Sequence, residues 1–178
     1  VMEMHKKVNK IIGIFLSVLL LMTGCTTQIP STNDKFDMET EVVVVGGGGA
    51  GLTAAISAAE KGSKVILLEK LAYMGGATML SAGIIPAAGT ELQASAGIKD
   101  SPTAMARDIL RPAHYSQDKK LVNLIADNSA DMVKWLGELG VRWKLQTNVL
   151  YKGQTQYRMH QAEEQGAEIA KVLINKVS

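Results

Sequence analysis

Three glycines, Gly46, Gly48 and Gly51, stand in the spacing GxGxxG, and a carboxylate, Glu69, follows 18 residues after the last of them. Residues of these types at these distances suit the binding of a dinucleotide. Gly46 permits a tight turn, Gly48 lets the backbone approach a pyrophosphate, and Gly51 lets a helix pack closely on a strand. The free amides and positive dipole end of that helix then face the phosphates. Glu69 is placed to accept hydrogen bonds from ribose hydroxyls, and its charge disfavours a 2′-phosphate, which argues against NADP. The glycines and the carboxylate leave FAD and NAD both open.

Such chemistry needs a strand ahead of the glycines and another ahead of the carboxylate. Val42 to Val45 are four consecutive β-branched residues, the pattern of a strand covered on both faces in a parallel sheet. Leu52 to Glu60 reads as a helix closed by Gly62, and Lys64 to Leu68 predicts a second buried strand that delivers Glu69 at its carboxyl end. Beyond it, the pair Gly75-Gly76 and the small residues through Gly83 form a second backbone-rich loop. That loop suits a cofactor longer than NAD, whose chain and ring continue past the pyrophosphate. Ser101-Pro102 opens a helix to about Arg111. Asp118 to Leu139, closed by Gly140, is a longer helix with Leu121, Val122, Leu124, Ile125, Met132, Val133 and Leu136 expected in the core. "GVRWKLQ" is expected to hold a short strand, and Glu163 to Val177 a last helix starting near Gly166.

With 178 residues, 47% of them hydrophobic, the chain has room for one ordinary domain and is not intrinsically disordered. The net charge is +2. Lys6, Lys7 and Lys10 crowd the first ten residues, and nothing after them reads as a nucleic-acid-binding face. They precede Ile11 to Met22, an apolar run shorter than the roughly 20 residues a membrane-spanning helix needs, in the layout of a signal peptide. Cys25 is the only cysteine, so no internal disulfide forms. "LMTGC" resembles a bacterial lipoprotein box, which implies an acylated Cys25 and a protein lipid-anchored on the outer face of a bacterial cell membrane. The expected organisation is therefore a signal peptide at 1–24, a flexible tether at 25–40 and a folded domain at 41–178. His5, His114 and His160 lie too far apart to form a metal cluster, so no metal is expected.

The stretches "VVVVGGGGAGLTAAISA", "VILLEK" and "GGATMLSAGIIPAA" resemble the flavoprotein subunits of the fumarate reductase and succinate dehydrogenase superfamily, most closely the soluble flavocytochrome c and urocanate reductase type. The resemblance implies an α/β fold, the N-terminal part of a Rossmann-like FAD-binding domain with a parallel sheet. It carries cofactor-binding roles onto Gly46, Gly48, Gly49, Ala50, Gly51, Glu69, Lys70, Gly76, Ala77, Thr78, Gly83 and Ile84. Ala50 falls beside the glycine loop, Glu69 on the adenosine ribose, and Ala77, Thr78 and Gly83 around the ribityl chain and flavin ring. Members with covalent FAD carry histidine where this chain has Ala77, so non-covalent FAD is implied. Soluble members often have asparagine at that position and glycine at Ile84; both departures bear on the substrate.

By the same resemblance the reaction is hydride transfer from flavin N5 to the β-carbon of an α,β-unsaturated carboxylate such as fumarate or urocanate, with an arginine delivering the proton. In that family the groups that clamp the carboxylates fall beyond position 178, so the catalytic residues of this chain stay unknown. Arg158 and His160 in "YRMHQ" resemble a pair found at the same place in soluble fumarate reductases, although such residues in a loop are more often structural. The implied electron partner is a donor protein, a quinone, or a domain carrying covalent FMN. A ketosteroid-type FAD dehydrogenase, an inactive N-terminal fragment of a flavoenzyme, and a surface flavoprotein that only passes electrons are the alternatives.

Overall fold

The computed structural model describes residues 37–178, and the compact unit is Thr40–Ser178. The expected signal peptide, Cys25 and all but the end of the tether lie outside the described residues.

The first strand, β1 (Val42–Val45), is followed by helix α1 (Gly49–Glu60) and strand β2 (Val65–Leu68). β1 and β2 pair in parallel, Val42 opposite Val65 through Val45 opposite Leu68, the expected βαβ unit. Thr40 Oγ1 donates to Lys64 O, and Lys64 N donates to Glu41 Oε2, which fixes the entry end of the pair. The expectation that β1 is covered on both faces fails. Val43 and Val45 are 57% and 82% exposed and Leu68 is 52% exposed, because α1 lies over one face only and no described layer covers the other. Helix α1 begins three residues earlier than its apolar pattern suggests: Gly48 is its N-cap, so the third glycine already lies in the first turn.

A second, antiparallel sheet takes up the short strand expected in "GVRWKLQ"; its other two strands carry no such sequence signal. β3 (Ile84–Pro86), β4 (Trp143–Leu145) and β5 (Met159–Ala162) order as β3-β5-β4, with Ile85 and Leu145 both opposite His160. Two short helices flank β3: α2 (Gly76–Leu80) before it and α3 (Glu91–Ser95) after it. α3 opens on a capping box in which Thr90 Oγ1 accepts from Gln93 N while Gln93 Oε1 accepts from Thr90 N.

Helix α4 (Pro102–Leu110) starts as read, with Pro102 in its first turn and Ser101 capping Ala104 N. Helix α5 (Lys119–Glu138) is capped by Asp118, whose carboxylate accepts from Lys120 N and Leu121 N. Its buried face differs from the expected one. Val122, Ala126, Ser129, Val133 and Leu136 are inside, whereas Leu121, Leu124, Ile125 and Met132 are exposed by 40% or more. The small residues Ala126 and Ser129 let α4 come close, and that contact decides which stripe is buried.

Helix α6 (Gln165–Val177) packs Ile169 and Leu173 against Leu52, Ile56, Leu136 and Val141 to form the main core. Each such aliphatic side chain contributes about 1.5–3 kcal/mol on burial. Ala88, Met105, Ala106, Leu110, Val122 and Ala126 make a second core between α4 and α5.

Candidate functional site

The carboxyl ends of β1 and β2 place the glycine loop beside Glu69. Gly46 N donates to Leu68 O at 2.7 Å, and the next amide, Gly47 N, donates to Glu69 Oε2 at 2.7 Å. Leu71 N donates to Glu69 Oε1 at 2.9 Å. These amides of Leu71 and Gly47 hold the Glu69 carboxyl below the usual carboxylate range. Each carboxylate oxygen keeps a lone pair for a further donor.

The second loop is stacked on the first. Gly75 N donates to Gly47 O at 2.7 Å, Gly48 and Gly75 form a parallel bridge, and Gly49 N donates to Thr78 Oγ1 at 3.2 Å. The structure therefore brings Gly46, Gly48, Gly49, Ala50, Gly51 and Glu69 together with Gly76, Ala77 and Thr78 where the two loops meet, with Ala50, Gly76 and Ala77 open to solvent. Lys70 is exposed beside Glu69. Gly83 and Ile84 stand apart, at the start of β3; Gly83 is buried against Gln165 and Gly166 in the first turn of α6.

The residues fit an FAD of the kind expected. A Cβ placed on Gly48 would meet nothing within 4 Å, so the cradle at the N-terminus of α1 is open. Gly48, the N-cap, adds no side chain there, although Thr78 Oγ1 takes the Gly49 amide, and the carboxylate of Glu69 keeps acceptor capacity for a donor such as a hydroxyl. Ala77 offers no nucleophile to a flavin. Among the described residues, no group of three or more His, Cys, Asp or Glu side chains could hold a metal, and no helix is long and apolar enough to cross a membrane.

Arg158 and His160 are 1% and 0% exposed, so they line no open cleft in this structure. Arg158 Nε and Nη2 donate to Asp100 at 2.6 and 2.8 Å, and Nη1 donates to Asp108 Oδ2 at 2.7 Å. Gln93 Nε2 also reaches Asp100, and Thr155 reaches Asp108 through both its amide and its hydroxyl. Burial pulls against both charges, but the mutual hydrogen bonds win. Asp108 is held below its ordinary range and Arg158 above its own. Sequence reasoning missed Asp100 and Asp108, which lie 58 and 50 residues from Arg158. The spacing Thr90-x-x-Gln93 was the one local signal that could have located this core.

A family model described as FAD binding domain matches residues 41–178. The chain is 39% identical over 117 residues to a urocanate reductase of Eggerthella lenta, covering 65% of this chain and 19% of that protein. It superposes on the open conformation of a flavocytochrome c3 fumarate reductase with a TM-score of 0.71 at 35% identity, covering 76% of this chain and 24% of that one. A 3-ketosteroid-Δ4-(5α)-dehydrogenase of Rhodococcus jostii gives a TM-score of 0.67 at 26% identity, over 83% of this chain and 37% of that one. The chain thus spans about a fifth to a third of the length of these relatives.

Proposed function

The chain belongs to this FAD-binding domain family, and we propose that it supplies the nucleotide-cradling part of a flavin-dependent reductase of fumarate reductase or urocanate reductase type. The observation that supports this reading most is the junction of the two loops: an ionised Glu69 on Gly47 N, with Gly75 bridged to Gly48. With FAD bound, the N-terminal amides of α1 would hold the pyrophosphate, Glu69 would accept from the ribose hydroxyls, and the residues from Gly76 to Thr78 would hold the ribityl chain. Bound FAD would supply the hydride to an α,β-unsaturated carboxylate, such as fumarate or urocanate. With Ala77 in place of a histidine, the flavin is held without a covalent bond. Electrons reach it from a donor protein, a quinone or a covalent FMN on another domain.

Glu69→Gln in the full-length protein tests the cradle. The amide loses the charge that strengthens the ribose bonds, so FAD affinity is expected to fall about tenfold or more, read by quenching of flavin fluorescence. Unchanged affinity overturns the assignment. The ketosteroid reading, favoured by the 26% identical structure, is separated by turnover: reduction of fumarate or urocanate supports the carboxylate reading, and oxidation of a 3-ketosteroid alone supports the other.

For the N-terminal segment, we propose an anchor through Cys25, supported by the cationic and apolar residues ahead of it. Cys25→Ala is expected to leave the protein out of the membrane fraction, or unprocessed, and without radiolabelled palmitate. Equal labelling of parent and variant rejects it.

A further inference from the structure

The buried polar core behind the second loop has a histidine at its centre, whose protons can be placed from geometry. His160 Nδ1 lies 2.8 Å from Arg158 O, an acceptor with no proton to give, so Nδ1 carries the N–H. His160 Nε2 lies 2.8 Å from Thr90 Oγ1. That hydroxyl also accepts from Gln93 N, and with the ring proton on Nδ1 it donates its own to Nε2. In this arrangement the ring is neutral and a single tautomer, the state that its burial away from water favours. A second proton on the ring would turn Nε2 into a donor. Thr90, 5% exposed, would then hold a buried O–H with nowhere to donate it, beside a charge removed from water.

The groups packed round the ring do not offset that cost. Just ahead of its own strand, Arg158 is cationic. Asp100, ahead of α4, is committed to Arg158, and Asp108, on α4, pairs with Arg158 through Oδ2 while its Oδ1 stands 3.9 Å from Arg111. α3 offers Thr90 and Gln93, neither charged, and the ladder partners on β3 and β4 are Ile85 and Leu145. Burial pushes the His160 imidazole below its ordinary pKa, against the backbone bonds at Arg158 and Ile85 that raise it.

From this ring the ladder leads to the cleft. Gln161 pairs with Ile84, Ala162 N donates to Gly83 O at 2.9 Å, and Gly166 N donates to Ser81 O at 3.0 Å. A side chain on Gly83, whose φ is +65°, would run into the backbone of Gln165 and Gly166. The far end of the second loop is thus fastened to β5 and to the turn that follows it.

We propose that neutral His160 is a positioning residue for FAD: it holds β5 in register on β3 and so fixes the Ser81–Gly83 end of the second loop, and its protonation loosens that end and weakens FAD binding. The inference rests on the FAD reading above. The loosened form binds the proton more readily than the closed one. Affinity is therefore full above about pH 6.5 and lost as the pH falls below it, by up to about tenfold per pH unit.

The test is FAD titration of flavin-stripped, full-length protein between pH 8 and pH 5, with far-UV circular dichroism at each point. Affinity should fall below pH 6.5 while the spectrum holds. In His160→Gln, which accepts from Thr90 but does not titrate in this range, the affinity should stay level, and Thr90→Ser should keep the parent profile. Should His160→Gln not fold, ring 15N shifts of the parent protein serve instead: a neutral Nδ1–H ring at pH 6.5 supports the proposal, and an imidazolium at pH 7 overturns it. The same acid loss in His160→Gln, a flat parent profile, or FAD release only on global unfolding also overturns it. No FAD binding even at pH 8 would reject the FAD reading itself, and this inference with it.

Discussion

Gly51→Ala is expected to strip the full-length protein of its flavin. A Cβ there would collide with Gly46 O, with Gly46 C at 3.0 Å and Val44 Cγ1 at 3.5 Å behind it. The Gly46 carbonyl cannot swing aside easily, because its residue is held at φ +103° and its amide is bonded to Leu68 O. Helix α1 must therefore back away from β1, taking the amides of the cradle with it. Overpacking of this kind costs about 1–3 kcal/mol or more, and FAD affinity is expected to drop about 100-fold as the phosphate site opens. Gly48→Ala is the contrast. Its Cβ meets nothing within 4 Å and its φ of −78° suits alanine, so the melting temperature should hold while the methyl fills the cradle and affinity falls. Flavin retained at parental levels in Gly51→Ala would show that α1 does not bind as described.

Arg158→Met should cost the most stability. It leaves Asp100 and Asp108 buried, at 0% and 1% side-chain exposure, with only the half-exposed Arg111, 3.9 Å from Asp108, as a remaining cation. Breaking such a pair from one side costs about 3–5 kcal/mol, which for a domain of this size lowers the melting temperature by roughly 10–20 °C. The pH dependence carries a sign. In the parent, burial acts to raise the Asp108 pKa, but the hydrogen bonds from Arg158 and Thr155 outweigh it and hold it low. That stability is present above the unfolded carboxylate pKa, about 3.9, and is lost as the pH falls through the folded value. Without Arg158 the Asp108 carboxylate protonates more readily, so the gap between variant and parent should narrow toward pH 4. Adding Asp100→Asn and Asp108→Asn should recover part of the loss at pH 7. A melting temperature within 2–3 °C of the parent would mean that the triad contributes little, as exposed ion pairs do.

How much of this was visible in the sequence follows the distance over which each feature is encoded. The glycine loop, β2 and Glu69 are local: turn, strand and helix signals lie within 30 residues, and each glycine has a backbone reason to be there. The ends of α5 were legible from Asp118 and Gly140. Its buried stripe was not, because apolar residues occur on two sides and only the approach of α4 to Ala126 and Ser129 selects one. β5 was illegible, since "MHQA" carries no strand periodicity and owes its pairing to residues some 75 positions away in β3. The ion triad was hidden for another reason. Asp100, Asp108 and Arg158 look like surface residues when read one at a time, and only the fold removes them from water together.

The open face of β1 and β2 bears on what becomes of a molecule that loses its shape. Val42–Val45 and Val65–Leu68 are short runs of aliphatic, mostly β-branched residues without proline or charge, the composition of segments that stack into cross-β aggregates. Glu41 and Lys64 stand as gatekeepers at the same end of the two strands, joined by the bond from Lys64 N to Glu41 Oε2. At the other end the guards are Gly46 and Glu69, two of the residues proposed to hold the nucleotide. The features that make the cleft therefore also interrupt the chain's stickiest segments, and a molecule opened by heat is exposed to irreversible association before it can refold.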